Sequence, residues 1–116
     1  MKIMITGRHL EVTPALRSWA EDRIWRLQRY LSRVEDVEVA LWVERFWHVA
    51  EVFVREGPFL FQAVGRSREM YGSIDRAVDK IKLQVKSHQG RLHHHRTEFH
   101  RRRPNRLNSQ EEDEAR

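Results

Sequence analysis

The sequence predicts an α+β fold whose elements follow the order β-α-β-β-β-α. Three observations lead to this prediction: a short alternating segment at the start, two long segments with apolar residues at helical spacing, and three consecutive alternating segments between them. A four-stranded sheet with both helices on one face is the layer arrangement that buries both apolar helix stripes.

The first strand and the first helix have recognisable boundaries. In KIMITG, Ile3 and Ile5 fall on one face of a strand that Gly7 ends. Thr13 followed by Pro14 is typical of a helix start, because threonine caps free backbone amides and proline lacks the amide that the first turn leaves unsatisfied. Apolar residues at helical spacing then predict a first helix that runs to about residue 31: Leu16, Ala20, Ile24, Leu27 and Leu31.

Three alternating segments follow and predict two consecutive antiparallel hairpins. VEVALWVERF and HVAEVFVR form the first hairpin, and the turn Glu56-Gly57-Pro58 leads into FLFQAVGR. One face of these strands packs on the helices. The opposite face is predicted to be partly solvated and acidic, with Glu38, Trp42, Glu44, Glu51 and Gln62.

The segment EMYGSIDRAVDKIKLQVKSHQGRL predicts the last helix, with Ser67 as its N-cap and Glu69 in its first turn. Gly90 costs about 1 kcal/mol of helix propensity relative to alanine, so the helix is expected to end or bend before Arg91. Few apolar residues follow. We therefore expect a domain over 1–95 and a flexible, charged C-terminal tail over 96–116.

Composition excludes several classes of protein. The chain of 116 residues has no cysteine, which excludes disulfides, thiolate zinc sites and thiol catalysis. No apolar run approaches the roughly 20 residues that span a bilayer, and MKIMITGRHL lacks a secretory signal, so we expect a cytoplasmic protein.

No motif indicates an enzyme. A Gly-rich phosphate loop, a nucleophile elbow and an HExxH motif are all missing. Adjacent histidines at His93–His95 point in different directions on a helix, so they do not predict a metal site. Asp75 and Asp79 share a helix face, but the helix dipole accounts for acid near an N-terminus. We predict no catalytic residue, no cofactor and no small-molecule substrate.

The net charge of +5 is unevenly distributed. Residues 14–34 hold five arginines against Glu21 and Asp22, and residues 76–106 hold ten basic residues against Asp79 and Glu98. This distribution predicts that both helices face a polyanion. The alternative is ordinary solvated helix faces whose charges follow the helix dipole.

The lysines of the last helix favour the first interpretation. Lys82 and Lys86 are four residues apart and repel, which a merely stable helix would avoid. Trp25 falls opposite the apolar stripe, where it could stack on a base or be a lone exposed aromatic. The candidate phosphate-binding residues are Arg23, Arg26, Arg29, Arg33, Lys80, Lys82, Lys86 and Arg91.

Three segments carry a resemblance to a known family. ITGRHLEVTPALRSWAEDRIWRLQRYL, VEVALWVER and EMYGSIDRAVDKI resemble the ribosome hibernation promoting factor and ribosome-associated inhibitor (protein Y) family, in order and at the family's spacing. The likeness covers roughly residues 1 to 95, and its most specific part is MYGSID followed by DK, close to the family's DMYAAID…DKL. Nothing after residue 95 is long or apolar enough for the dimerisation domain of long members, so the chain resembles a short form.

The resemblance implies a fold similar to double-stranded RNA-binding domains. It also implies binding to the small ribosomal subunit and its rRNA at the decoding region, where messenger and transfer RNA would otherwise lie, and inhibition of translation under stress or in stationary phase. Basic positions on both helices of such proteins face ribosomal RNA. We expect a protein that is not an enzyme and is monomeric when free.

Two alternatives from the residues stay open. The acidic sheet face could bind a protein, for example a transcription factor. The basic helices could also recognise double-stranded RNA in general by its shape.

Overall fold

A computed structural model describes residues 1–31 and 33–93, with side chains as far as Gln89 in the last helix. It confirms the predicted element order and architecture. The strands are β1 (Lys2–Gly7), β2 (Val34–Glu44), β3 (Trp47–Glu56) and β4 (Phe59–Ser67), and the helices are α1 (Pro14–Leu27) and α2 (Met70–His93). The predicted tail over 96–116, His94 and His95, and the side chains of Arg91, Leu92 and His93 lie outside the described residues.

The sheet has the strand order β1-β2-β3-β4. β1 and β2 are parallel because α1 crosses over between them, whereas the two following pairs are antiparallel hairpins. The register aligns Ile5 with Val39, Val39 with Val52, and Val52 with Ala63. These inward side chains form one buried layer beneath the helices, as the alternating pattern predicts.

The two helix starts use different caps. The Thr13 hydroxyl accepts a hydrogen bond from the Leu16 amide at 3.2 Å, as predicted. The prediction of Ser67 as the second cap is wrong, because Ser67 is still the last residue of β4. The Glu69 carboxylate accepts from the Gly72 amide at 2.8 Å instead, directly before the first residue of α2.

The predicted ends of both helices need correction. α1 stops at Leu27, and a single 3₁₀ turn over Gln28–Tyr30 replaces the expected last turn, so Leu31 is already extended. Arg33 therefore lies beyond α1. In the opposite sense, α2 continues through Gly90 to His93 rather than ending before Arg91. In the part of the chain that the structure describes, neither helix combines the length and apolar character needed to cross a membrane.

The predicted acidic face of the sheet is a mixed one. Arg8 lies 3.8 Å from the Glu51 carboxylate and 4.2 Å from the centre of the Trp42 ring, and Arg66 pairs with Glu44 at 2.6 Å. Lys2 and Arg55 lie on the same face beside Asp36 and Glu38. The prediction failed because Arg8, in the β1–α1 connection, and Arg66, in β4, pair with acids of β3 and β2, and Lys2 and Arg55 add further positive charge to this face.

Candidate nucleic-acid interface

A groove between the two helices gathers most of the predicted basic residues. α1 and α2 run side by side in the same direction, because Trp19 bonds to Asp75 near the start of α2 and the Tyr30 carbonyl accepts from Gln89 near its end. Basic, acidic and aromatic side chains line the groove: Arg23, Arg26, Arg29, Tyr30, Asp75, Asp79 and Lys82.

An acidic clamp joins the N-terminal halves of the helices. Asp75 Oδ1 accepts hydrogen bonds from Trp19 Nε1 at 3.0 Å and from Arg23 Nε at 2.9 Å. The Arg23 guanidinium also lies 3.9 Å from the centre of the Trp19 ring, and Tyr71 packs edge-to-face on that ring at 5.1 Å. Asp75 is thus a structural residue that fixes α1 against α2, and its carboxylate neutralises part of the positive charge of Arg23.

Replacing Asp75 with alanine should lower the free energy of unfolding by about 1–2 kcal/mol, because it leaves a partly buried indole N–H and a guanidinium without their shared acceptor. Urea denaturation measures this change. Asp79→Ala is the matched control, since Asp79 lines the same groove one turn later but is exposed; it should change stability by no more than about 0.5 kcal/mol. Equal effects of both variants would contradict the clamp.

The C-terminal half of the groove carries its least compensated positive charge. The ammonium groups of Lys82 and Lys86 lie 5.6 Å and 5.2 Å from the centre of the Tyr30 ring. An aromatic ring attracts cations at this distance, which offsets part of the repulsion between the two lysines. Arg29, on the 3₁₀ turn next to Tyr30, is exposed and adds a third cation.

Of the seven candidate basic residues whose side chains the structure describes, five therefore meet in one place. Arg23, Arg26, Arg29 and Lys82 line the groove, and Lys86 lies beside it on Tyr30. Arg26 pairs with Asp22 at 3.1 Å, yet its side chain stays 66% exposed and can still reach a phosphate. The groove thus presents a row of cations. Among them, Arg23 makes the most contacts with other side chains of the protein, through Asp75 and Trp19.

Lys80 lies on the other flank of α2. Its ammonium group donates to the Val64 carbonyl on the outer edge of β4 at 2.6 Å. One turn further on, the Gln84 side chain bonds to both the amide and the carbonyl of Gln62, at 3.3 Å and 2.7 Å. These contacts satisfy part of the edge of β4 and hinder the addition of another strand there. Lys80 has a structural role that accounts for its position without RNA.

Two other predicted residues also lie outside the groove. Arg33 is exposed after the 3₁₀ turn, where its amide donates to the Glu56 carboxylate at 3.1 Å. Trp25 is 52% exposed on α1 and does not line the groove. Its stacking role stays a prediction.

Sequence reasoning missed Tyr30 as part of this site. The aromatic ring follows Leu27 by three residues and stands next to Arg29, which was the available signal. The ring belongs to the site because the ammonium groups of Lys82 and Lys86 lie near it, and this contact with α2 is not visible in the local sequence.

Comparison with known proteins identifies the same family as the sequence motifs do. The family model described as "Sigma 54 modulation protein / S30EA ribosomal protein" matches residues 3–93. The ribosome hibernation promoting factor of Salmonella typhimurium is 30% identical over 95 residues, which are 82% of this chain and 100% of that protein. The factor of the same name from Azotobacter vinelandii is 33% identical over 88 residues, 76% of this chain and 82% of that protein.

Two solved structures share the fold. The N-terminal domain of Thermus thermophilus Protein Y has a TM-score of 0.69 and 34% identity, covering 76% of this chain and 99% of that domain. A ribosomal subunit interface protein from Coxiella burnetii has a TM-score of 0.71 and 19% identity, covering 78% of this chain and 99% of that protein. The second likeness concerns the fold alone.

Proposed function

The chain belongs to the Sigma 54 modulation protein / S30EA ribosomal protein family, and on this premise we propose that it is a ribosome hibernation factor. In this proposal it binds the rRNA of the small ribosomal subunit in the channel for messenger and transfer RNA and inhibits translation under stress or in stationary phase. The names of its relatives support a ribosome-associated hibernation role. The observation that carries the RNA-binding step is the row of cations between α1 and α2.

The mechanism is electrostatic and steric, and it needs no covalent step. Arg26, Arg29, Lys82 and Lys86 replace the counterions of rRNA phosphates, and the release of those counterions favours binding. The clamp at Asp75 fixes α1 against α2, so the two helices are already side by side before contact and need not rearrange on binding. The bound domain then occupies the space that messenger and transfer RNA need.

The open face of the sheet gives less support to a protein-modulator function. That hypothesis required an acidic surface, but the Arg8–Glu51 and Arg66–Glu44 pairs neutralise much of the charge there. The helix groove, in contrast, keeps three exposed or partly exposed cations around Tyr30.

Co-sedimentation with purified small ribosomal subunits at a series of salt concentrations tests the function. We expect log affinity to fall linearly with log salt with a slope of about −3, since each of four phosphates contributes roughly 0.7–0.9. Excess duplex RNA is added in a parallel series. Affinity that does not respond to salt would contradict the electrostatic mechanism, and competition by duplex RNA as strong as by subunits would indicate a general double-stranded RNA binder.

A further inference from the structure

The β2–β3 hairpin ends in an exposed aromatic pair far from the helix groove. Glu44 pairs with Trp47 at the end of the ladder, so Arg45 and Phe46 form the two-residue connection. Phe46 is 59% exposed, although burying an aromatic side chain of this kind is worth about 1.5–3 kcal/mol. The tip of the hairpin therefore presents a large apolar ring to the solvent.

The aromatic pair is associated with arginine. The centres of the Phe46 and Trp47 rings are 5.6 Å apart, with the ring planes tilted by 45°. The guanidinium of Arg68, at the start of the segment that leads into α2, lies 5.0 Å from the Phe46 ring and 5.2 Å from the Trp47 ring. Arg68 thus connects the hairpin to the base of α2 and leaves much of Phe46 accessible.

Arg45 occupies a conformation that disfavours it. Its φ is +59°, in the left-handed region where glycine is free of strain and a residue with a side chain costs about 1 kcal/mol. A two-residue connection in which only the first residue has a positive φ usually carries glycine at that position. Backbone strain retained at an exposed position points to a function of the side chain rather than of the fold.

The nearby acids are already engaged. Hydrogen bonds from the Trp42 indole and then from Arg66 hold the pKa of Glu44 below its ordinary value, which keeps this carboxylate ionised and paired. Glu69 caps the first turn of α2. The charges of Arg45 and Arg68 are therefore available to an anion that approaches Phe46.

We propose that Phe46, Trp47, Arg45 and Arg68 form a binding site for one unpaired RNA nucleotide, hereafter the hairpin site. The base stacks on the exposed Phe46 ring, and Arg45 and Arg68 contact the adjacent phosphates. Aromatic rings with flanking arginines are the arrangement by which proteins hold single-stranded RNA, because each base has a stacking face and each linkage has a charge.

The hairpin site is a second RNA contact and rests on the proposed function. It lies at the N-terminal end of α2, whereas Lys82 and Lys86 lie 12 and 16 residues further along the helix. At 1.5 Å per residue, about 20 Å separates the two contacts. A folded RNA that offers phosphates to the groove and a looped-out base at this distance would engage both, which a plain duplex cannot do.

The test uses three variants of the full chain and two RNA probes. Phe46→Ala removes the stacking ring, Arg45→Gly removes the charge while relieving the backbone strain, and Leu83→Ala is a matched control that truncates a 66% exposed apolar residue on the flank of α2. The probes are purified small ribosomal subunits and a short unstructured RNA oligonucleotide. Thermal unfolding of each variant is measured alongside.

We expect Phe46→Ala to weaken binding of both probes about 5- to 30-fold. Arg45→Gly should weaken binding at unchanged or higher Tm, and Leu83→Ala should bind as the parent chain does. Parent-like binding of both probes by Phe46→Ala would overturn the hairpin site. A parent chain that binds the oligonucleotide through Phe46 but does not bind subunits would instead overturn only the proposed function.

A photo-crosslinking amino acid at position 46 separates an RNA ligand from a protein ligand. Irradiation of the bound subunit should give a crosslink to rRNA. Crosslinks to ribosomal protein alone, or none in a complex that has formed, would overturn the assignment of an RNA nucleotide to this site.

Discussion

Glutamate at both Lys82 and Lys86 is expected to abolish co-sedimentation with small ribosomal subunits while leaving the fold intact. The two ammonium groups share the Tyr30 ring and form the most positive part of the groove. Charge reversal replaces two attractions to phosphate by two repulsions, in a complex where each phosphate contact contributes strongly to salt-dependent affinity. Because neither side chain is buried, the free energy of unfolding should change by no more than about 0.5–1 kcal/mol.

The matched control carries the same change in net charge elsewhere. Arg17→Glu with Arg76→Glu also lowers the net charge by four units, but these exposed side chains do not line the groove. This control should retain most of the binding at moderate salt. A neutral pair, Lys82→Gln with Lys86→Gln, should bind weakly and reduce the salt slope by about 1.5. Undiminished binding of the double glutamate variant would refute the groove as the RNA contact.

The sequence was sufficient for the fold because each element buries one face. Alternation in β2, β3 and β4 and helical spacing in α2 identified the inward residues, which form the observed core. The errors occurred where elements meet. Leu31 continues the spacing of Leu27, but it lies in extended backbone after a 3₁₀ turn, and periodicity cannot distinguish a last helical turn from a link that also packs on the core.

The basic surface was only partly predictable for a related reason. A helical projection gives the angle of a side chain about its own axis, but it does not say which neighbour lies at that angle. Lys80 and Lys82 are two residues apart, yet one closes the edge of β4 and the other lies in the groove. The engagement of Arg23 by Asp75 joins residues 52 positions apart and has no local signal.

The hairpin tip shows the same limit in a strand. The predicted alternating segment runs through Phe46, whereas the strand ends at Glu44 and Phe46 lies in the turn. Neither Arg45 nor Phe46 is a usual turn residue, so no local signal indicated a two-residue connection there. An aromatic residue that the prediction places in a strand is instead 59% exposed at the tip of the hairpin.

Gly65→Ala should be strongly destabilising, because α2 packs closely on β4 at this glycine. Gly65 is buried in β4, where α2 crosses so closely that a Cβ atom would lie 2.2 Å from the Ser73 carbonyl oxygen and 2.6 Å from the Ala77 amide nitrogen. Both obstacles are helix backbone, so the whole helix has to move. We expect a loss of about 3–5 kcal/mol in the free energy of unfolding and a fall in Tm of roughly 15–30 °C.

Gly57→Ala makes the same chemical change without the contact. Gly57 has a φ of +58° and no atom within 4 Å of the position of a Cβ, so alanine there meets backbone strain alone, about 1 kcal/mol. Thermal unfolding of both variants separates steric overlap from loss of glycine flexibility.

Gly65→Ala should also weaken RNA binding at temperatures below its Tm. The reason is that α2 carries Lys82 and Lys86 as well as the clamp residue Asp75, so a helix displaced at Gly65 moves these cations away from α1. A Gly65→Ala protein as stable as Gly57→Ala would mean that α2 does not pack on β4 at this distance, and the geometry of the groove would fail with it.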